Sequence, residues 1–176
     1  ENVHNHCQKL DNLNLKYLIY KSSNGTDFKV ELNEGVRWGG GSEVTTEGKV
    51  FNPNIPSEEC FTSPKAGSCE GIVYATKPLS FRGEIIDGFS IRFKDGKVSE
   101  VKAAKNQKLL EFLVAADEGA KMLGECALVP FDSPINNTGI LFNSTLYDEN
   151  ACCHLALGMG FRDLLPNSEN MSEEEI

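Results

Sequence analysis

Four side chains in this sequence are of types that hold metal ions, and each borders an apolar or rigid segment. They are Glu59 in "NIPSEECF", Glu125 in "LGECALVP", and Glu149 and His154 in "DENACCHLALG". Glu58 and Asp148 stand beside the first and third acids, and the other histidines, His4 and His6, lie near the start of the chain. A carboxylate at the edge of an apolar run is harder to explain as plain surface than one in a polar loop. Hard carboxylate oxygens neutralise a divalent cation and a neutral imidazole nitrogen adds a stronger bond, so the set suits metal binding. So many acids would also suit two ions sharing a bridging carboxylate.

The same residues have plainer uses. Asp148 can cap a helix, Glu149 can face the helix's positive end, and His154 can be a buried, hydrogen-bonded core residue. The apolar pattern of residues 148–161 predicts the last full helix of the chain. On such a helix, five residues rotate Glu149 and His154 off a common face, so Glu149 would act from the first turn or its entry loop. Spacing leaves both readings open. Other chemistries fit less well: Cys152 and Cys153 adjoin His154, but sequence neighbours on a helix point apart and form no thiol–imidazole pair. The triple glycine at 39–41 lacks the Lys-Ser/Thr of a phosphate loop and reads as a backbone requirement.

These residues must be positioned by the elements around them. Residues 2–14 place Val3, Cys7 and Leu10 at helical spacing. "KYLIYKS" and "DFKVEL" flank an Asn-Gly turn, and "KDGK" at 94–97 marks a second hairpin. Between them run "EGIVYAT", "LSFRG", "FSIRFK" and "KVSEVKA", while residues 37–56 read as irregular chain with one short strand. Asn106 is expected to cap a helix over 107–123, followed by strands in "ECALVPF" and "GILFNS". Ser172 and Glu175 have the spacing of a capping box, which announces a further helix or belongs to an acidic tail. The predicted fold class is α+β: one domain over 1–176, with a largely antiparallel, hairpin-rich sheet and about three helices.

Composition narrows the partners. The chain has 176 residues, of which 40% are hydrophobic, enough for one buried core. Its 26 acids against 17 bases give a formal charge of −9, which repels phosphate backbones and anionic lipid. No nucleic-acid or membrane partner is expected, and no run reaches the apolar length of a bilayer span. The six cysteines form neither a CxxC pair nor a dense framework, and "ENVHNHCQKL" has no leader character. Free thiols in a cytoplasmic protein are therefore expected.

The stretches "FNPNIPSEECFTSPKAGSCEG", "TKPLSFRGEIIDGFSIRFKDGKV", "LGECALVPFDSPI" and "NSTLYDENACCHLALG" resemble the aminopeptidase T and aminopeptidase S/PepS family of metallo-aminopeptidases. The likeness runs over nearly the whole chain, in the family's order. It implies an exopeptidase that removes N-terminal residues from peptides with two divalent metal ions (zinc, cobalt or magnesium), and a homodimer with an enclosed active site. Carried over residue by residue, it implies metal ligation by Glu59, Glu125, Glu149 and His154, with Glu125 bridging. Glu58 would be a general base, an amine anchor or a solvated neighbour.

Two departures accompany the likeness. The family's N-terminal domain and its later His-x-Asp segment, which supplies further ligands, are not found in these 176 residues. The resemblance thus implies the metal-binding C-terminal region of an aminopeptidase, the alternative being a non-catalytic descendant or structural fragment. Phe161 stands where the family's pattern has a tyrosine whose hydroxyl assists catalysis, and phenylalanine has no proton to donate.

Overall fold

In the computed structural model, which describes residues 2–172 and 175–176, the chain is an α+β assembly of antiparallel hairpins. Helix α1 (Asn2–Leu13) leads into strands β1 (Tyr17–Lys21) and β2 (Asp27–Glu31). Two short strands, β3 (Glu43–Val44) and β4 (Val50–Phe51), pair as a ribbon where one strand was expected. Then come β5 (Cys60–Thr62), β6 (Glu70–Tyr74), β7 (Leu79–Phe81), β8 (Glu84–Ile86), β9 (Ser90–Lys94) and β10 (Lys97–Lys102). Helix α2 (Gln107–Val114), strand β11 (Leu123–Leu128), short helices α3 (Pro134–Asn137) and α4 (Thr145–Asp148), and strand β12 (His154–Leu157) follow.

Both turn signals make the hairpins they announce. Asp95 and Gly96 adopt φ of 52° and 76°, as a tight two-residue turn between twisted strands demands. The hairpins assemble into a five-stranded sheet ordered β1-β2-β6-β9-β10 and a three-stranded sheet ordered β12-β11-β5. Two separate ribbons, β3-β4 and β7-β8, complete the strands, so the single expected sheet is several.

Three expected elements differ. Residues 148–161 do not form a helix: a 3-10 turn covers Glu149–Ala151, Cys152 is extended, and β12 begins at His154. Pairing of β12 with β11 overrides the helical preference of Ala and Leu, and Gly158, with φ of 123°, lies outside helical space. The helix predicted over 107–123 ends at Val114, because the Asp117 carboxylate accepts the Ala120 N–H at 2.7 Å and closes a separate 3-10 turn. Asn106 adopts left-handed φ at its start, with its side-chain amide donating to the Ile85 carbonyl at 2.9 Å instead of capping. "GILFNS" is irregular, bracketed by Gly139 and Asn143 at positive φ. The helix announced by Ser172 falls on residues 173 and 174, outside the described residues.

The main core lies between the two larger sheets. Phe28 and Val30 of β2 and Phe93 of β9 meet Cys126 and Leu123 of β11, with Leu155 and Leu157 of β12 packed against them. A second cluster joins Cys7 of α1, Leu32 and Trp38 to Cys60, clamping α1 over the start of β5. All six cysteines are free thiols, as expected. No helix among the described residues is long and apolar enough to cross a membrane. Phe28 is 1% exposed and its ring centroid lies 5.1 Å from that of Phe93. Phe28→Ala is therefore expected to cost about 3–5 kcal/mol, read as a lower urea midpoint; a loss below about 1 kcal/mol would contradict this core placement.

Candidate metal centre

The three-stranded sheet explains why residues so far apart in sequence meet. Ala127 of β11 pairs with Phe61 on one side and His154 on the other. Side chains alternate along a strand, so Glu125, two residues before Ala127, shares its face with His154. Glu59, two residues before Phe61, arrives on that face from just ahead of β5. The opposite face carries Cys126, Thr62 and Leu155, with Cys126 and Leu155 turned into the core. Ala127 is fully buried and has only a methyl group, which leaves the space in front of the strand to the longer side chains flanking it.

One ligand atom each from Glu59, Glu125 and His154 lies within 4.8 Å of the others, a grouping that could hold a metal ion. His154 Nε2 lies 2.9 Å from Glu59 Oε2 and 3.9 Å from Glu125 Oε1. The ring's other nitrogen, Nδ1, is 3.1 Å from the Cys152 carbonyl oxygen. A carbonyl can only accept, so Nδ1 carries a hydrogen and, in neutral imidazole, Nε2 presents its lone pair to the carboxylates. Glu59 Oε2 and His154 Nε2 are both buried without a hydrogen-bond partner despite their approach. Two buried electron-rich atoms so placed are costly unless a proton or a cation sits among them. The donor set of two carboxylate oxygens and one imidazole nitrogen thus fits a divalent metal.

Protonation behaviour carries the same strain. Burial pushes the Glu125 carboxyl up to about 7, with Glu59 and Glu149 adding to the rise and His154 opposing it. Glu149 is also raised, by burial first and then by Glu59. Burial by itself would lower His154, but Glu59, the Cys152 carbonyl and Glu125 outweigh it and leave a net rise.

Glu149 stands apart from the three-residue group. It lies in the 3-10 turn ahead of β12, half-buried and close enough to feel the charge on Glu59 and His154. It lies on a turn, and no helix follows. Asp148 is structural: its carboxylate accepts the N–H groups of Phe142 at 2.7 Å and Ser144 at 3.0 Å, tying down the loop before α4. The Glu58 N–H donates to Asn150 Oδ1 at 2.7 Å. Phe161 stacks on Phe61, with ring centroids 4.7 Å apart, and its N–H donates to Ser63 Oγ at 2.5 Å.

Sequence reasoning passed over the residues that hold this arrangement. Gly39 bonds to Phe61 through both backbone groups, at 2.8 and 2.9 Å, laying the glycine-rich segment along β5. A Cβ on Gly40, whose φ is 148°, would collide with the Glu59 carbonyl. The triple glycine signalled a backbone requirement but not its beneficiary. Asn150 and Ala127 gave no local signal, because their importance depends on distant partners.

A profile of the family described as thermophilic metalloprotease (M29) matches residues 1–176. Aminopeptidase 2 of Geobacillus stearothermophilus is 44% identical over 167 residues, covering 95% of this chain and 40% of that protein. Aminopeptidase AmpS of Bacillus subtilis (strain 168) is 40% identical over 178 residues, covering 100% and 43%. The chain thus spans about 40% of the length of these curated relatives. The structure of wild-type AmpT from Thermus thermophilus superposes with a TM-score of 0.89 at 42% identity, covering 94% of this chain and 42% of that one. The 2,5-dihydroxypyridine dioxygenase of Pseudomonas putida KT2440 is similar in fold alone, with a TM-score of 0.57 at 16% identity over 86% of this chain and 45% of that one.

Two measurements test the geometry. Gly40→Ala is expected to cost about 1–3 kcal/mol in urea unfolding, through displacement of the Glu59 backbone; an unchanged midpoint would show that the segment yields freely. Metal-free stability is expected to fall as pH rises from 4.5 towards 7. Because Glu125 is raised from 4.5 to about 7 in the folded chain, folded protein holds more protons than unfolded protein across that range. Glu125→Gln should flatten this fall; an identical pH slope in wild type and variant would refute the assignment.

Proposed function

The chain belongs to the thermophilic metalloprotease (M29) family, and from that premise we propose that it is the metal-binding region of an aminopeptidase hydrolysing N-terminal residues from peptides. Glu59, Glu125, Glu149 and His154 would be its metal ligands, with Glu125 shared between two divalent ions of zinc, cobalt or magnesium. The observation that carries this reading is the convergence of Glu59 Oε2 and His154 Nε2, 2.9 Å apart, buried and without hydrogen-bond partners, beside Glu125. Further ligands would come from a His-x-Asp segment outside these 176 residues. The relatives are named as aminopeptidases, which supports a peptide substrate.

The chain's own residues have separable tasks. Cys152 fixes the imidazole through Nδ1, so that Nε2 faces the centre. Glu59 and Glu125 supply compact negative charge in a site largely closed to water, where charge interactions are strengthened. A divalent ion held by these residues would supply Lewis acidity and a more acidic water. Glu149, on its turn, adds a carboxylate for the second ion. The assembled enzyme would be a cytoplasmic homodimer, as the family resemblance implies.

A non-catalytic descendant is the second reading, favoured by Phe161, which stacks on Phe61 and offers no hydroxyl. Zinc and cobalt titrations test the ligand set first. His154→Ala and Glu125→Gln are each expected to weaken binding about a hundred-fold, which is about 2.7 kcal/mol, and unaltered affinity would remove these ligands from the site. Hydrolysis of amino-acid anilides by the whole protein separates the readings: turnover abolished by chelator supports the enzyme, whereas metal uptake without turnover supports the descendant. Phe161→Tyr is expected to raise turnover about ten-fold or more; no change would dismiss the hydroxyl as limiting.

A further inference from the structure

Asn150 is 1% exposed, and all its side-chain groups are engaged. Its Oδ1 accepts the Glu58 N–H at 2.7 Å, and its Nδ2 donates to the Leu146 carbonyl at 2.9 Å. Its own carbonyl accepts the Ser133 hydroxyl at 2.6 Å, and Ser133 Oγ accepts the N–H groups of Ile135 and Asn136 at the start of α3. A primary amide is costly to bury unless its groups are paired, so the destinations of these bonds are informative. One returns to α4, just ahead of the 3-10 turn that carries Asn150. Another reaches the loop after β11. The third crosses to the residue immediately before Glu59.

Asn150 itself immediately follows Glu149. One side chain therefore joins the two segments that bear Glu59 and Glu149, carboxylates whose charges repel. Among the described residues, no other side-chain hydrogen bond links these two segments. Ordinary packing would satisfy Oδ1 with any nearby N–H, whereas here the acceptor oxygen is committed to the backbone of a ligand-bearing arm.

We propose that Asn150 is a positioning residue for the metal centre, bracing the Glu58–Glu59 arm against the Glu149 turn so that both carboxylates serve one shared centre. The proposal rests on the ligand assignment above and adds a residue that touches no ion. Partners outside the ligand shell that orient metal-binding groups typically change affinity about 10–100-fold when removed. Loss of this brace should therefore appear as weaker and differently coordinated metal, beyond any loss of stability.

The test is a cobalt(II) titration of the whole protein, with the His-x-Asp segment in place, followed by visible absorption, beside urea unfolding in chelator. Asn150→Leu, which keeps the bulk and removes every side-chain bond, is expected to weaken cobalt binding about ten-fold or more and alter the spectrum. Asn150→Asp keeps an acceptor for the Glu58 N–H and should restore the wild-type spectrum. Ser133→Ala breaks the bond to the Asn150 carbonyl but not the one to Glu58, so it should lose stability with cobalt affinity intact. If Asn150→Leu does not fold, Asn150→Ser, too short to reach Glu58, provides the same comparison. Wild-type affinity and spectrum in Asn150→Leu or Asn150→Ser would overturn this inference alone, as would equal affinity losses in Ser133→Ala. No cobalt uptake by the wild-type protein extended through the His-x-Asp segment would overturn the ligand assignment, and this inference with it.

Discussion

The 2.9 Å approach of His154 Nε2 to Glu59 Oε2, with Glu125 at 3.9 Å, is the constraint around which the surrounding structure is organised. Left to themselves, an imidazole lone pair and two carboxylates would separate or take up solvent. Here the backbone prevents both. The imidazole is fixed through Cys152, Glu59 is held where only a glycine can pass beside its carbonyl, and Glu125 lies within a paired strand. The resulting concentration of electron-rich atoms is stable only when positive charge joins it, and so the site selects cations by what it cannot otherwise tolerate.

The three-stranded sheet accomplishes this with a simple division of labour. From Glu125 onward, past a register shift after Leu123, alternate residues of β11 turn one way into the core between sheets, where Cys126 meets Phe28 and Phe93, and the other way towards the site. A slip of one residue would exchange the two faces and expose the core while burying Glu125 within it. Packing energy therefore enforces the register that brings Glu59, Glu125 and His154 together. The same logic explains the outer position of Glu149: it precedes β12 on a turn, outside the ladder, and needs separate bracing.

The sequence was informative where the signal is local. Asn-Gly and Asp-Gly turns, the spacing of Val3, Cys7 and Leu10, and the apolar run of "ECALVPF" all correspond to elements of the fold. It was misleading at 148–161, where Ala, Leu and His suggest a helix but pairing with β11 decides in favour of a strand. Glu59, Glu125 and His154 were identifiable as unusual by their apolar surroundings. Their mutual placement was not, because it follows from a ladder uniting residues near 60, 126 and 155. Gly40 showed only that it needed room, and Asn150 showed nothing, since its partner Glu58 lies 92 positions away.

Fold and chemistry separate cleanly here. A dioxygenase shares the topology at 16% identity, so the arrangement of strands does not by itself specify peptide hydrolysis. What is specific is the set of side chains on one face and the protons they bind. Raised carboxyls at Glu125 and Glu149 and a raised imidazole at His154 mean that the metal-free chain holds protons at these groups more tightly than water would. A cation entering the centre must displace them, so metal affinity and pH are bound together by the same three groups. The protonated centre and the loaded centre are then alternative solutions to one electrostatic problem, and the scaffold is built to tolerate either.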